Sequence, residues 1–143
     1  MLKEFSFEGV SFRYPSDWKL KREEGDEGWT VTLESPGITA FLTLTCDSTP
    51  RTIEEMAGAA LEALRSVYPT LEAESAVESV AGQMAVGHDI NFFSLDLVVT
   101  CWTRSFYCDA GTVLLLCQSS DLELEESEPA LRAICASLTV EEE

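Results

Sequence analysis

The apolar positions of this chain follow two rhythms, strict alternation and a helical stripe, and the boundaries between them set the predicted elements. From Leu71 to Ser119 apolar residues recur on alternate positions, interrupted only at Gly82, around Asn91 to Ser94 and at Asp109-Ala110-Gly111. Alternation sends successive side chains to opposite faces of a strand, so this block predicts four strands in an antiparallel meander. The first, Leu71 to Val80, carries Glu72, Glu74 and Glu78 and belongs at an edge or with one side in water. In the second, Met84, Val86, His88, Ile90 and Phe92 share one parity. The third, Leu95 to Tyr107, is apolar on both sides, with Leu95, Leu97, Val99 and Cys101 on one and Val98, Trp102 and Phe106 on the other. A strand apolar on both faces is covered on both. It and the equally apolar Thr112 to Gln118 are therefore the predicted centre of the sheet.

Upstream, Phe5, Phe7, Val10, Phe12 and Tyr14 alternate loosely, and Gly9 marks either a break between two short strands or a turn before one. Pro15 ends this run, because proline donates no ladder hydrogen bond. The charged stretch from Lys19 to Gly28 predicts a solvated loop. Trp29 to Glu34 alternates, with Trp29, Val31 and Leu33 on one face, and Ser35-Pro36-Gly37 turns it into a partner strand from Ile38 to Cys46. Thr52 followed by Glu55 fits a capping box. Ile53, Met56, Ala57, Ala60, Leu61, Leu64, Val67 and Tyr68 then share one face of a helix over 52–68, which Pro69 stops. Near the end, Ser119-Ser120-Asp121 can cap a helical turn. Ser127-Glu128-Pro129 can start a helix afresh with proline in its first turn, its apolar face being Leu131, Ile134, Cys135 and Leu138. The order β-ββ-α-ββββ-α makes an α+β fold, one domain over residues 1–140, with 141–143 an acidic tail.

Charge narrows the function classes. With 26 acids against 9 basic residues the formal charge is −17, which repels nucleic-acid phosphates and anionic membrane surfaces. A basic partner segment would be steered towards it. The N-terminal residues show no basic start followed by an apolar core, so no signal peptide is expected. No apolar run approaches a membrane span. The five cysteines, Cys46, Cys101, Cys108, Cys117 and Cys135, are odd in number and lack any CxxC spacing. They are read as reduced thiols, and the chain as cytoplasmic.

The candidate chemistry is sparse. His88 is the only histidine and Asp89 follows it, but neighbours in a strand face opposite sides and do not support each other. A pairing of His88 with Cys101 or Cys108 across adjacent strands stays open as a small-ligand or catalytic site. Cys108 and Cys117 flank a predicted hairpin and can approach. No ligand pair has metal-binding spacing and no cofactor motif occurs, so no metal or cofactor is expected. The carboxylate pairs lie on loops and helix starts, where the helix dipole explains them. The expectation is a non-catalytic chain. The aromatic residues offer the other candidate: if helices leave part of the sheet bare, Trp102, Phe106 and Phe93 line an apolar groove for a basic or apolar segment of a protein partner.

The run Phe12-Arg13-Tyr14-Pro15-Ser16-Asp17-Trp18 near the start of a chain of this length resembles the opening of PsbP-like domains. Gly82 before the second meander strand and the closing Ile134-Cys135-Ala136-Ser137-Leu138 fit the same pattern. The superfamily includes photosystem II extrinsic proteins, DcrB-like bacterial proteins and Eag-type secretion chaperones. The resemblance implies an α/β/α sandwich around a twisted antiparallel sheet. Towards the chaperone branch it implies a protein-binding, chaperone-like role. It carries over no functional residue.

Overall fold

The computed structural model describes residues 1–37 and 39–141. Ile38, expected to open a strand, and Glu142 and Glu143 of the expected tail lie outside the described residues.

The predicted meander forms as β6 (Glu72–Val80), β7 (Gln83–Ser94), β8 (Leu97–Cys108) and β9 (Gly111–Ser120). They join β3 (Lys19–Gly25), β4 (Gly28–Glu34) and β5 (Phe41–Asp47) in one antiparallel sheet of order β3-β4-β5-β9-β8-β7-β6. Burial of β8 and β9 on both faces puts them near the middle, and the glutamates of β6 keep an edge in water. The turn between β7 and β8 falls at Leu95-Asp96, later than the break expected around Asn91 to Ser94. Both residues adopt positive φ (51° and 65°), the backbone of a two-residue type I′ hairpin turn. Phe93 and Ser94 thereby remain in β7, paired with Val98 and Leu97.

The stretch Lys19 to Gly28 is not a loop. Its first seven residues form β3, which pairs with β4 throughout. Charged residues hide the strand because it sits at the sheet edge, where charge discourages pairing with other chains. Its inward face is Leu20 and Arg22, and the Arg22 guanidinium lies 3.9 Å from the centre of the Phe7 ring. Gly28 has φ +144°, and a Cβ there would meet the Cys46 carbonyl oxygen at 1.8 Å. Only glycine lets β4 approach β5 so closely.

One face of the sheet is covered by α1 (Ile53–Val67), whose capping box forms as expected: Glu55 N donates to Thr52 Oγ1 at 3.0 Å and Thr52 N to Glu55 Oε1 at 3.3 Å. Ile53, Met56 and Ala57 are buried, whereas Val67, expected on that face, is exposed. Towards its C-terminal end, Leu61, Leu64 and Tyr68 pack on Leu71, Ile90, Phe92, Val99 and Cys101, and Tyr68 stacks on Phe92.

The other face carries the larger core, and its cover is mixed rather than purely helical. Gly9 separates two strands, β1 (Leu2–Phe7) and β2 (Val10–Pro15), which form a hairpin. A short strand at the end of the chain, β10 (Thr139–Val140), joins β2 and completes a three-stranded sheet. Phe5 and Phe12 stack at 5.0 Å, Phe7 meets Trp29 edge-on, and Trp29 Nε1 donates to Glu8. Beside this small sheet lies α2 (Leu124–Ala136), with Leu131 and Ile134 buried. This helix begins before Ser127, so Pro129 sits in its second turn, where its missing N–H leaves an interior helical bond unmade. The helix does not take its cap from Ser119-Ser120-Asp121. The N-cap is Glu123, whose carboxylate accepts instead from Thr39 N and Oγ1 and ties the β4–β5 connection to the end of β9. Ser119 and Ser127 hydroxyls, 2.7 Å apart, lock α2 to β9.

Candidate functional site

Trp102 and Phe106 do not line a groove. They are 2% and 0% exposed, on the β8 face that α2 and the small sheet cover. The Arg132 guanidinium of α2 lies 4.1 Å from the centre of the Trp102 ring. The expected bare strip is closed because α2 and β1–β2 together span the face that one helix would leave open.

Phe93 is the member of that aromatic set left in solvent, at 74% exposure. Its cross-strand partner Val98 and the turn residue Leu95 are exposed too, Leu95 at 93%. Asp121 N donates to Val98 O at 2.8 Å, which brings the exposed Leu122 to the same end of the sheet. An apolar tip thus consists of Phe93, Leu95, Val98 and Leu122. Acids border it: Asp96 in the turn, Asp121 at the junction, and Glu125 and Glu128 beside a concavity of about 440 Å³ that runs from Asp121 along α2. Leu95 and Val98 were expected inside a central strand. The one available signal was Asp96, a residue that tolerates positive φ, set among apolar neighbours that mask it.

The structure does not assemble a His–Cys site. His88 faces α1, opposite Thr103 in register, and its backbone N donates to Thr103 Oγ1. Its Nδ1 is buried and has no hydrogen-bond partner among the described residues. Burial, with Arg65 and Arg104 adding to it and Asp89 opposing, holds the imidazole below its ordinary pKa. Cys101 lies opposite Ile90, diagonal to His88, and such diagonal neighbours stand about 7–8 Å apart. Burial pushes its thiol up to about 12, so it is no thiolate near neutral pH. Cys108 points to the other face of β8, as its odd separation from Cys101 requires.

Asp89 is also on that other face, bound to Arg104. The buried Arg104 guanidinium donates through Nε to Glu78 at 2.6 Å, through Nη2 to Asp89 at 2.8 Å, and through Nη1 to the carbonyls of Thr103 and His88. Gly87 makes room beside it, since a Cβ there would meet the Thr103 carbonyl oxygen at 1.8 Å. These bonds strap β6, β7 and β8 together. With four bonds made, this arginine is a structural cation.

The cysteines pair differently from expectation. Cys108 and Cys117 do not meet: Cys117 stands opposite Trp102, and Cys108 is at the far end of β8 opposite Gly111. Cys108 instead contacts Cys46 of β5 at 3.9 Å, and Cys117 contacts Cys135 of α2 at 3.6 Å. All five are free thiols. Cys46 borders a concavity of about 560 Å³ rimmed by Glu23, Glu24, Asp26, Glu27 and Asp47. Among the described residues no three histidine, cysteine or acidic side chains cluster as metal ligands. No helix among them is long and apolar enough to cross a membrane.

No family model matches the chain, and no curated protein matches its sequence. Solved structures match it in shape. The solution structure of cyanobacterial PsbP (CyanoP) from Synechocystis sp. PCC 6803 superposes with a TM-score of 0.69 at 13% identity, over 98% of this chain and 92% of that one. A protein of unknown function from Pseudomonas aeruginosa, PA94, gives 0.60 at 11% identity over 99% of both chains. LpqN, involved in cell envelope biogenesis of Mycobacterium tuberculosis, gives 0.57 at 14% identity over 99% of this chain and 92% of that one. Likeness at such identities is likeness of fold. The opening motif Phe12 to Trp18 and the superposed structures converge: the chain has a PsbP-like fold.

Proposed function

We propose that this chain is a non-catalytic, cytoplasmic protein-binding module that docks a cationic, apolar-bearing segment of a protein partner on the β7–β8 tip. The observation that carries the reading is Leu95. It is 93% exposed and held at φ +51°, a conformation that disfavours any residue with a Cβ. Glycine or asparagine would relieve the turn and solubilise it, yet leucine stands there beside the exposed Phe93 and Val98. Exposed apolar groups gathered at one tip favour contact with a partner. The formal charge of −17 and the bordering Asp96, Asp121, Glu125 and Glu128 set the sign of that partner. Five free cysteines fit a reducing compartment.

Two synthetic peptides of equal length and charge test this, one alternating lysine with leucine and one alternating lysine with serine. In backbone NMR titrations the leucine peptide shifts Phe93, Leu95, Val98 and Leu122, and the serine peptide leaves them in place. Leu95→Gly abolishes the leucine-peptide shifts while making the fold more stable by about 1 kcal/mol, the penalty a side chain meets at positive φ. Equal response to both peptides, or full binding by Leu95→Gly, refutes the proposal.

A further inference from the structure

The Cys46–Cys108 contact lies apart from the apolar tip, at the opposite end of β8, and stands independently of the docking reading. Cys108 is the last residue of β8 and half-buried, and Cys46 is 2% exposed on β5. Strand β9 runs between them, yet their Sγ atoms are 3.9 Å apart. The residue opposite Cys108 is Gly111, which has no side chain to stand between the thiols. A Cβ at Gly111 would also meet the Asp47 carbonyl oxygen at 2.1 Å, so the glycine is needed on both counts. The half-buried Cys108 thiol therefore meets the buried Cys46 thiol directly, with no side chain between them.

We infer that Cys108 is a redox-modification site, the attacking thiolate for low-molecular-weight disulfides, with Cys46 as the positioning residue whose S–H holds its negative charge. Hydrogen bonds to the sulfur, that of Cys46 first, bring the Cys108 thiol down to about 6 against burial and the adjacent Asp109. The same contact pushes Cys46 far up, aided by burial. Solvent reaches Cys108 and not the buried Cys46, so the negative charge is better hydrated on Cys108 and the remaining hydrogen stays on Cys46. In the reaction Cys108 releases its proton to water and its Sγ attacks one sulfur of the disulfide R–S–S–R. The S–S bond breaks, the mixed disulfide Cys108–S–R forms, and R–S⁻ leaves and takes up a proton. Cys46 keeps its hydrogen throughout. It does not go on to expel the adduct, because alternate strands of a sheet lie roughly 9–10 Å apart and a disulfide needs Cα atoms within about 7 Å.

Charge selects among disulfides. Asp47 follows Cys46, Asp109 follows Cys108, and the chain carries −17 overall, so a cationic disulfide is drawn in and an anionic one repelled. Cystamine and oxidised glutathione are the two probes. Intact-protein mass and peptide mapping of the folded chain follow the adduct over time. The expected result is a single adduct on Cys108 ahead of the other four cysteines. Cystamine reacts faster than glutathione disulfide, and the gap narrows as salt rises. Cys46→Ala moves the pH midpoint of the reaction up by about one unit, the worth of a hydrogen bond to a charged sulfur, while Cys46→Ser, which keeps a donor, restores most of the rate at neutral pH. First modification at Cys101, Cys117 or Cys135 overturns the inference. So does a pH profile unmoved by Cys46→Ala, or a Cys46–Cys108 disulfide as the product. Reading the fold of each variant by circular dichroism separates a lost donor from a lost structure.

Discussion

Neutralising the two acids bound to Arg104 should destabilise the fold more than removing the arginine. The Arg104 side chain is 5% exposed, while those of Glu78 and Asp89 are 44% and 57% exposed. Replacing Arg104 with methionine leaves two half-wet carboxylates that recover water, and the apolar stem is kept. Each lost pair is then worth about what a surface ion pair is, 0.2–1 kcal/mol. Adding the Thr103 and His88 carbonyls that lose a donor brings the total to about 1–2 kcal/mol. The double variant Glu78→Gln, Asp89→Asn strands a buried guanidinium with amide oxygens where its counter-charges were. Leaving a buried charge uncompensated costs about 3–5 kcal/mol, and for a chain of this length each kcal/mol moves Tm by roughly 4 °C. The expected order in urea and thermal unfolding is wild type, then Arg104→Met, then the double variant, with the last about 12–20 °C below wild type. The net charge runs the other way, since the double variant is less acidic than the parent. Repeating the melts at about 1 M salt, where the screening length is roughly 3 Å, removes that contribution and should preserve the order. If Arg104→Met proves the less stable of the two, the strap is held by the arginine's packing rather than by charge compensation, and the argument fails.

Two further predictions rest on other parts of the fold. Gly87→Ala drives a Cβ into the Thr103 carbonyl oxygen and should cost roughly 2–3 kcal/mol. Gly58→Ala, in α1 with nothing within 4 Å of the new Cβ, should stabilise by about 0.5–1 kcal/mol; chemical denaturation of the pair compares them, and equal effects would refute the reading of Gly87. Because burial lowers the folded His88 pKa below the unfolded value of 6.5, the unfolded chain binds the extra proton first, so stability falls as pH drops below about 6.5. His88→Gln should flatten the decline of Tm between about pH 6.5 and 5, and an unchanged slope would show that His88 titrates alike in both states.

Elements with one strong local cause were legible from the sequence. The α1 start follows from Thr52 and Glu55, whose side chains close a local ring that needs no distant partner. The meander follows from alternation, because period two has one structural meaning once turns bound it. Strand β3 was missed because an edge strand at a sheet margin needs few apolar groups, and Lys19 to Gly25 looks like any solvated run. The start of α2 was misplaced because its N-cap, Glu123, satisfies Thr39 across the fold rather than its own first turn. Of the proposed binding residues, Phe93 proved exposed, whereas Trp102 and Phe106 proved buried. All three lie at apolar positions of strands with no local mark to separate them.

The amino-acid sequence by itself determined the α+β class, the order of the main elements, the net negative charge and the faces each strand presents. These depend on residue type and spacing along the chain. Only the tertiary structure decided which of those faces is covered, because cover comes from elements distant in sequence. Helix α2 and the β1–β2 hairpin close over Trp102 and Phe106, and nothing among the described residues closes over Phe93 and Leu95. The same holds for the thiols. Cys46 and Cys108 are 62 residues apart and on strands that are not neighbours. Their contact depends on a glycine in the strand between them, and a pairing of that kind leaves no pattern along the chain.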